Sequence, residues 1–260
     1  LNAHPDPGSR LVLFGLSGFP MVVRGDSLAA LIVNAAVASG MTLQDDDVVV
    51  VAQKIVSKAE GRMVELRTIV AGPEAVELGR RCEKDPRLVE LILRESASVL
   101  RAAPGVLIVE HRRGWVMANA GIDQSNIDGR EEPAALLLPE DPDASADALR
   151  RSLAVQTGAR VGVVINDSFG RAWRLGVAGV ALGVSGWPAL LDRRGTADLF
   201  GRPLAHTMVG HADELAAAAS LVQGQAAEGR PVVIVRGARR EGPAGTGRDL
   251  LRPKEQDLFR

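Results

Sequence analysis

Apolar residues recur along this 260-residue chain in two periods, and the two separate helices from strands. Over residues 26–39, Leu28, Leu31 and Ile32 fall at i, i+3 and i+4. Asp26 or Ser27 can cap the start and Gly40 can end it, so the spacing predicts a helix. Residues 72–101 predict one or two helices, the second opening at Asp85-Pro86 with Leu88, Leu91, Ile92 and Val99 on one face. Residues 144–156 and the alanine-rich run 211–223 predict two more. The unbroken apolar runs at 47–52, 160–165 and 231–235 read as buried strands, and the glycine-broken run 177–184 as another. Residues 105–110 and 115–118, joined through Arg112-Arg113-Gly114, predict a hairpin. Helices mixed with hairpins, without regular βαβ alternation, favour an α+β fold over a doubly wound parallel sheet. The proline- and acid-rich stretch 129–147 is the expected surface linker, dividing residues 1–237 into two lobes if two exist. The glycine- and arginine-rich stretch 238–260 is expected to be mobile or peripheral.

Composition narrows the function. The 31 basic and 32 acidic side chains nearly cancel, Tyr is absent, and Phe and Trp are few, which argues against a nucleic-acid binder. Cys82 is the single cysteine, excluding an internal disulfide and a thiolate zinc site. With no apolar run of membrane-spanning length and no signal-peptide pattern, the expected location is the cytoplasm and no membrane partner is expected.

Three polar clusters follow predicted strands. Residues 53–61 carry Lys54 and Lys58, which share a face if the segment is helical and could meet phosphate; a solvated turn is the plainer reading. No Walker-type motif occurs. Residues 118–126 place Asp123 and Asn126 on a glycine-containing turn, suited to a hard cation or simply to an Asx turn. Residues 165–174 bring Asp167 and Ser168 to the end of a strand, followed by Arg171 and Arg174 around Trp173, which could meet an anion or only stack. His206, His211 and Cys82 read as structural. Together the clusters suggest an enzyme acting on a phosphorylated substrate with a divalent metal.

The same clusters, with GFPMVVRGDSL (Gly18–Leu28), DPRLVELILRES (Asp85–Ser96) and the run ending at Gly237, resemble the coenzyme F420-0:L-glutamate ligase family. Six segments in the family's order cover most of the chain. The resemblance implies mixed, largely antiparallel sheets with flanking helices in an intertwined homodimer. It also implies ligation of L-glutamate to the lactyl carboxylate of F420-0, through an acyl phosphate formed from GTP, with addition of a second, γ-linked glutamate as a further step. The implied cofactors are Mn²⁺ or Mg²⁺, with a monovalent cation as a further candidate. Some actinobacterial relatives carry a C-terminal flavin-binding domain without counterpart in this chain, so no FMN is expected.

Carried over residue by residue, the resemblance makes Asp123 and Asp167 metal ligands, with Ser168 in place of the family's threonine. Phe19, Pro20, Met21 and Val22 form the nucleotide loop. Lys58 and Asn126 contact GTP, and Gln53 stands where a serine is common. Gly224 and Gln225 fall in a C-terminal nucleotide and metal segment, Gln225 being the metal ligand. Asp123, Asp167 and Lys58 are the expected catalytic residues, and Lys54 is expected to matter less than Lys58. The departures at Phe19–Val22, Asn166-Asp167-Ser168 and Arg171-Ala172-Trp173 keep open an amide ligase acting on another acid. A non-catalytic F420 or nucleotide carrier is the alternative of another class, and the presence of both Asp123 and Asp167 argues against it.

Overall fold

The computed structural model describes residues 10–125 and 133–258. Its centre is a five-stranded sheet built from β1 (Val12–Gly15), β2 (Val48–Ala52), β8 (Gly162–Arg171), β9 (Arg174–Ser185) and β12 (Val232–Arg236), ordered β1-β12-β2-β8-β9. Only β2 and β8 run parallel; every other neighbouring pair is antiparallel.

The unbroken valine runs now have a physical cause. Along a strand successive side chains point to opposite faces. Val49, Val51, Val163, Ile165, Val232 and Ile234 enter one core, beneath α1 (Leu28–Ala38) and α5 (Pro142–Thr157). Val48, Val50, Val164, Val233 and Val235 enter another, beneath α6 (His211–Gln223). Both faces are covered, so no polar alternation survives. The glycines of β9 allow the helices to approach: a Cβ at Gly179 would strike the Ala216 carbonyl, and one at Gly183 the Pro142 carbonyl.

A third core belongs to a separate layer. There α3 (Pro73–Cys82) and α4 (Pro86–Glu95) pack on the antiparallel β4 (Ser96–Ala103), β5 (Val106–His111) and β6 (Val116–Ala118). A two-stranded ribbon, β3 (Met63–Glu65) with β7 (Ala134–Leu136), joins this layer through Leu66, Ala135 and Leu137. A short ribbon of β10 (Leu191–Asp192) and β11 (Met208–Val209) completes the strands among the described residues. The architecture is α+β with predominantly antiparallel sheets.

Three expectations need correction. The helical reading of 72–101 ends at Glu95, because residues 96–103 pair with β5 and Val99 meets the core from a strand. The stretch 129–147 is no surface linker over its described part: Ala134–Leu138 are buried, and α5 opens at Pro142. The strand read at 160–165 continues to Arg171, forming one long hairpin with β9. Cys82 is buried in packing, as read. In the tail, Leu250 and Leu251 pack against the cores and Gly247 N–H donates to Asp143. No described helix is long and apolar enough to cross a membrane.

Candidate active site

Topology gathers four chain segments at one end of the central sheet. The parallel strands β2 and β8 end side by side, Ala52 opposite Asn166, so the next residues, Gln53 and Asp167, emerge at the same edge. α2 (Gln53–Ala59) starts without any intervening turn, so Lys54 and Lys58 sit directly beyond the strand. β12 runs the other way, so the loop entering it arrives at this edge, and Ala52 N–H donates to the Pro231 carbonyl at 2.8 Å. β1 is antiparallel to β12 and exits here too, leading into Phe19–Val22. The carboxyl ends of parallel strands are a common place for a ligand crevice.

The crevice is a cleft of about 560 Å³, within the range of small-molecule sites. Phe19, Pro20, Met21, Val22, Gln53, Lys58, Asp167, Ser168, Gly224 and Gln225 all line it, joined by Lys54 and Asn166. Asp123 stands beside this lining rather than in it. Its Oδ2 lies 2.5 Å from Lys54 Nζ, which also donates to Ser125 Oγ at 2.8 Å. Asn126 lies outside the described residues. Arg171, Arg174 and Trp173 are not brought to the cleft: they form the tip of the β8–β9 hairpin, where Arg171 donates to the Leu175 carbonyl. His211 lies against Trp187, ring centroids 6.2 Å apart, away from the cleft lining.

Each carboxylate is set by its surroundings. The Asp123 backbone is locked by paired bonds with Leu136, at 3.0 and 2.8 Å. It follows a turn in which Asn119 and Ala120 hold φ of 53°, a region rarely used by residues other than glycine. Burial raises the Asp123 pKa, but the Lys54 ammonium and the Ser125 N–H and hydroxyl outweigh it and hold the group below the usual carboxylate range. Asp167 keeps part of its side chain open to the cleft, yet protein surrounds most of it. That desolvation pushes its pKa up to about 6, against the Ser168 N–H, Lys54 and Gln53, and the nearby Asp123 charge adds to the rise.

Braces hold the remaining donors. Ser168 Oγ donates to Gln225 Oε1 at 2.7 Å. Asn166 and Gln223 exchange side-chain amide bonds at 2.8 and 3.1 Å, tying the end of α6 to β8. Buried Gln53 accepts from Ser57 at 3.0 Å. Sequence reasoning gave Lys54 a lesser part than Lys58, yet Lys54 is the cation bonded to Asp123 and felt by Asp167. Its position four residues before Lys58 was the available signal; the partner arrives from a segment 69 positions away, which no local pattern reveals. The Asn166–Gln223 brace gave no signal.

Residues 18–237 match the F420-0:Gamma-glutamyl ligase family. The chain is 47% identical over 253 residues to the coenzyme F420:L-glutamate ligase of Methanothermobacter thermautotrophicus, covering 95% of this chain and 98% of that one. It is 48% identical to the protein of the same name from Methanopyrus kandleri, over 91% of this chain and 92% of that one. With the Archaeoglobus fulgidus ligase it shares 42% identity, over 96% and 97%. This chain belongs to the F420-0:gamma-glutamyl ligase family.

Proposed function

We propose that this protein joins L-glutamate to the carboxylate of F420-0 in coenzyme F420 biosynthesis, using GTP and a divalent metal, Mn²⁺ or Mg²⁺. The observation that carries this reading is the convergence, in one cleft edge, of two aspartates, a hydroxyl, an amide and two lysines from four chain segments.

Asp123, Asp167, Ser168 and Gln225 offer oxygen donors throughout, the chemistry hard divalent cations prefer. Lys54 already places a positive charge against Asp123. Those four side chains would hold the metal, which supplies neutralisation of charge on the transferring phosphoryl group. The chain's own residues do the rest. Lys58 draws the phosphates to the end of α2. Phe19, Pro20, Met21 and Val22 present an apolar wall to the nucleoside. The acceptor carboxylate oxygen attacks the γ-phosphorus and GDP leaves; the glutamate nitrogen then attacks the acyl carbon, loses a proton and expels phosphate. A second glutamate, joined through its nitrogen to the γ-carboxylate of the first, would use the same two displacements.

Trp173, Leu175 and Val177 on the β8–β9 arm, and Leu199 and Phe200 on the loop between β10 and β11, are exposed apolar side chains. They support a homodimer in which these surfaces meet a second copy. Light scattering of the wild type and of Leu175→Glu tests this: a dimer that becomes monomeric is expected.

The activity is tested with purified protein, F420-0, L-glutamate, GTP and Mn²⁺, reading products by mass spectrometry. Mono- or diglutamyl product is expected, with GDP release requiring both acceptor and glutamate. No product at high enzyme concentration would point to another acid as acceptor, and acceptor binding without any GTP turnover to a carrier.

A further inference from the structure

Beside the nucleotide cleft lies a second depression, of about 530 Å³. The two share Met21, Val22 and Lys58, so they form adjoining chambers on either side of the Met21–Val22 loop. The second chamber is walled by Val23, Met63 and Val64 in addition to that loop, and Arg24 reaches into it.

Arg24 is placed with care. It sits in a turn closed by Asp26 N–H to the Val23 carbonyl at 3.2 Å and Val23 N–H to Asp26 Oδ2 at 2.9 Å. Gly25 N–H donates to the Ala59 carbonyl at 2.9 Å, fastening the turn to the end of α2, one residue beyond Lys58. The Arg24 side chain then lies across Gly61, whose φ is 73°; a Cβ there would come within 2.7 Å of Arg24 Cδ and 2.8 Å of Nε. Gly61 therefore leaves the groove in which the arginine rests. Among the described residues the guanidinium makes no hydrogen bond or ion pair. The one carboxylate in the chamber lining, Glu65, is paired with Arg67 at 2.9 Å.

We infer that this chamber is the binding site for the acceptor acid, with an anionic group of the acceptor on Arg24 and its apolar body on the Met–Val wall. The inference rests on the ligase reading above. A guanidinium with no partner among the described residues, in a chamber walled largely by Met and Val side chains, suits an organic anion with a sizeable uncharged part. L-Glutamate, with two carboxylates, an ammonium and little apolar surface, fits it poorly. The position suits the chemistry as well. Lys58 lines both chambers, so the carboxylate of a ligand here would meet the γ-phosphoryl group beside a cation.

Steady-state kinetics on Arg24→Met and Arg24→Lys tests the assignment, with F420-0, glutamate and GTP varied in turn. Arg24→Met keeps the side chain's bulk without its charge. It should raise KM for F420-0 by about tenfold or more, leaving KM for GTP and glutamate within roughly twofold and kcat little changed. Arg24→Lys should recover part of the loss. Gly61→Ala, which displaces the arginine without removing it, should shift the same KM in the same direction. An unchanged acceptor KM in Arg24→Met, or a rise confined to glutamate, would overturn the assignment. The wild type separates this failure from failure of the ligase reading. If it forms no glutamyl product, that reading falls; if it ligates normally and Arg24→Met matches it, only the acceptor chamber falls.

Discussion

The two ends of the central sheet treat a buried aspartate in opposite ways. At the far end, Asp47 precedes β2 and is almost fully buried, and Arg236 of β12 closes on both its oxygens at 2.7 Å. The Gln44 N–H also donates to it, and Arg236 lies over the Phe14 ring. Every demand of that charge is met within the protein. At the cleft end, Asp167 pairs with no guanidinium among the described residues. It shares the influence of one lysine with Asp123, and its desolvation is left partly uncompensated. A charge that serves the fold is closed by a bidentate partner. One left short of positive charge stays open to a bound group that can supply it.

The largest effect should come from removing the open charge. Asp167→Asn keeps the shape of the side chain and the strand that carries it, but takes a negative charge from the cleft. Product formation should fall by about 10²–10³-fold, the scale of losing a major electrostatic contribution to a transition state. Raising Mn²⁺ should restore only part of it. Turnover close to wild type at ordinary metal concentration would leave Asp167 as a turn residue.

At the closed end the same change should act on stability instead. Asp47→Asn strips the carboxylate from Arg236, and the loss should be about 2–4 kcal/mol, below the full cost of breaking a buried pair because Arg236 is partly solvated. Chemical denaturation measures it, and kcat of the folded fraction should stay near wild type. A matching loss of kcat would mean that the two ends of the sheet are coupled.

These contrasts bear on what a sequence can reveal. The valine runs were legible because burial on both faces removes polar positions, and one strand's composition records that locally. The end of α4 was not: nothing in Ser96–Arg101 forbids another turn of helix, and pairing with β5 makes it a strand. Ala134–Leu138 hid among prolines and acids, though five apolar residues in succession were there to be weighed. Asp123 and Asp167 were legible as strand-associated carboxylates in familiar motifs. Their unequal environments were not, because Lys54 and the walls of the cleft come from distant segments. The Asp47–Arg236 pair, 189 positions apart, was equally silent.

Lys58 sharpens the picture of the open end. It lines the cleft at the C-terminal part of α2. Lys58→Ala should weaken GTP binding by about 1.5–3 kcal/mol, the value of a charge-assisted contact to phosphate. Isothermal titration with GTP measures this directly. Affinity equal to wild type would remove Lys58 from the phosphate site and leave Lys54 as the cation of the cleft.

The smallest expected effect is the most specific. In the metal-free protein Asp167 titrates near 6 when folded and near the ordinary aspartate value of about 3.9 when unfolded. Between those values the folded state holds the extra proton, so this group's contribution to stability falls as pH rises from about 4 to 6. Above pH 6 the charged carboxylate sits desolvated and its full penalty is present. Asp167→Asn cannot ionise and escapes the penalty. Because water reaches part of the side chain, the gain should be on the order of 1–2 kcal/mol at pH 7.5, shrinking towards zero at pH 4. Thermal unfolding with a chelator present, wild type against variant at both pH values, reads the difference while other titrating groups cancel. The sign is the reverse of that expected for Asp47→Asn. If Asp167→Asn is instead the less stable protein at pH 7.5, Lys54 and the Ser168 N–H more than compensate the burial of Asp167. Both ends of the sheet would then hold closed charges.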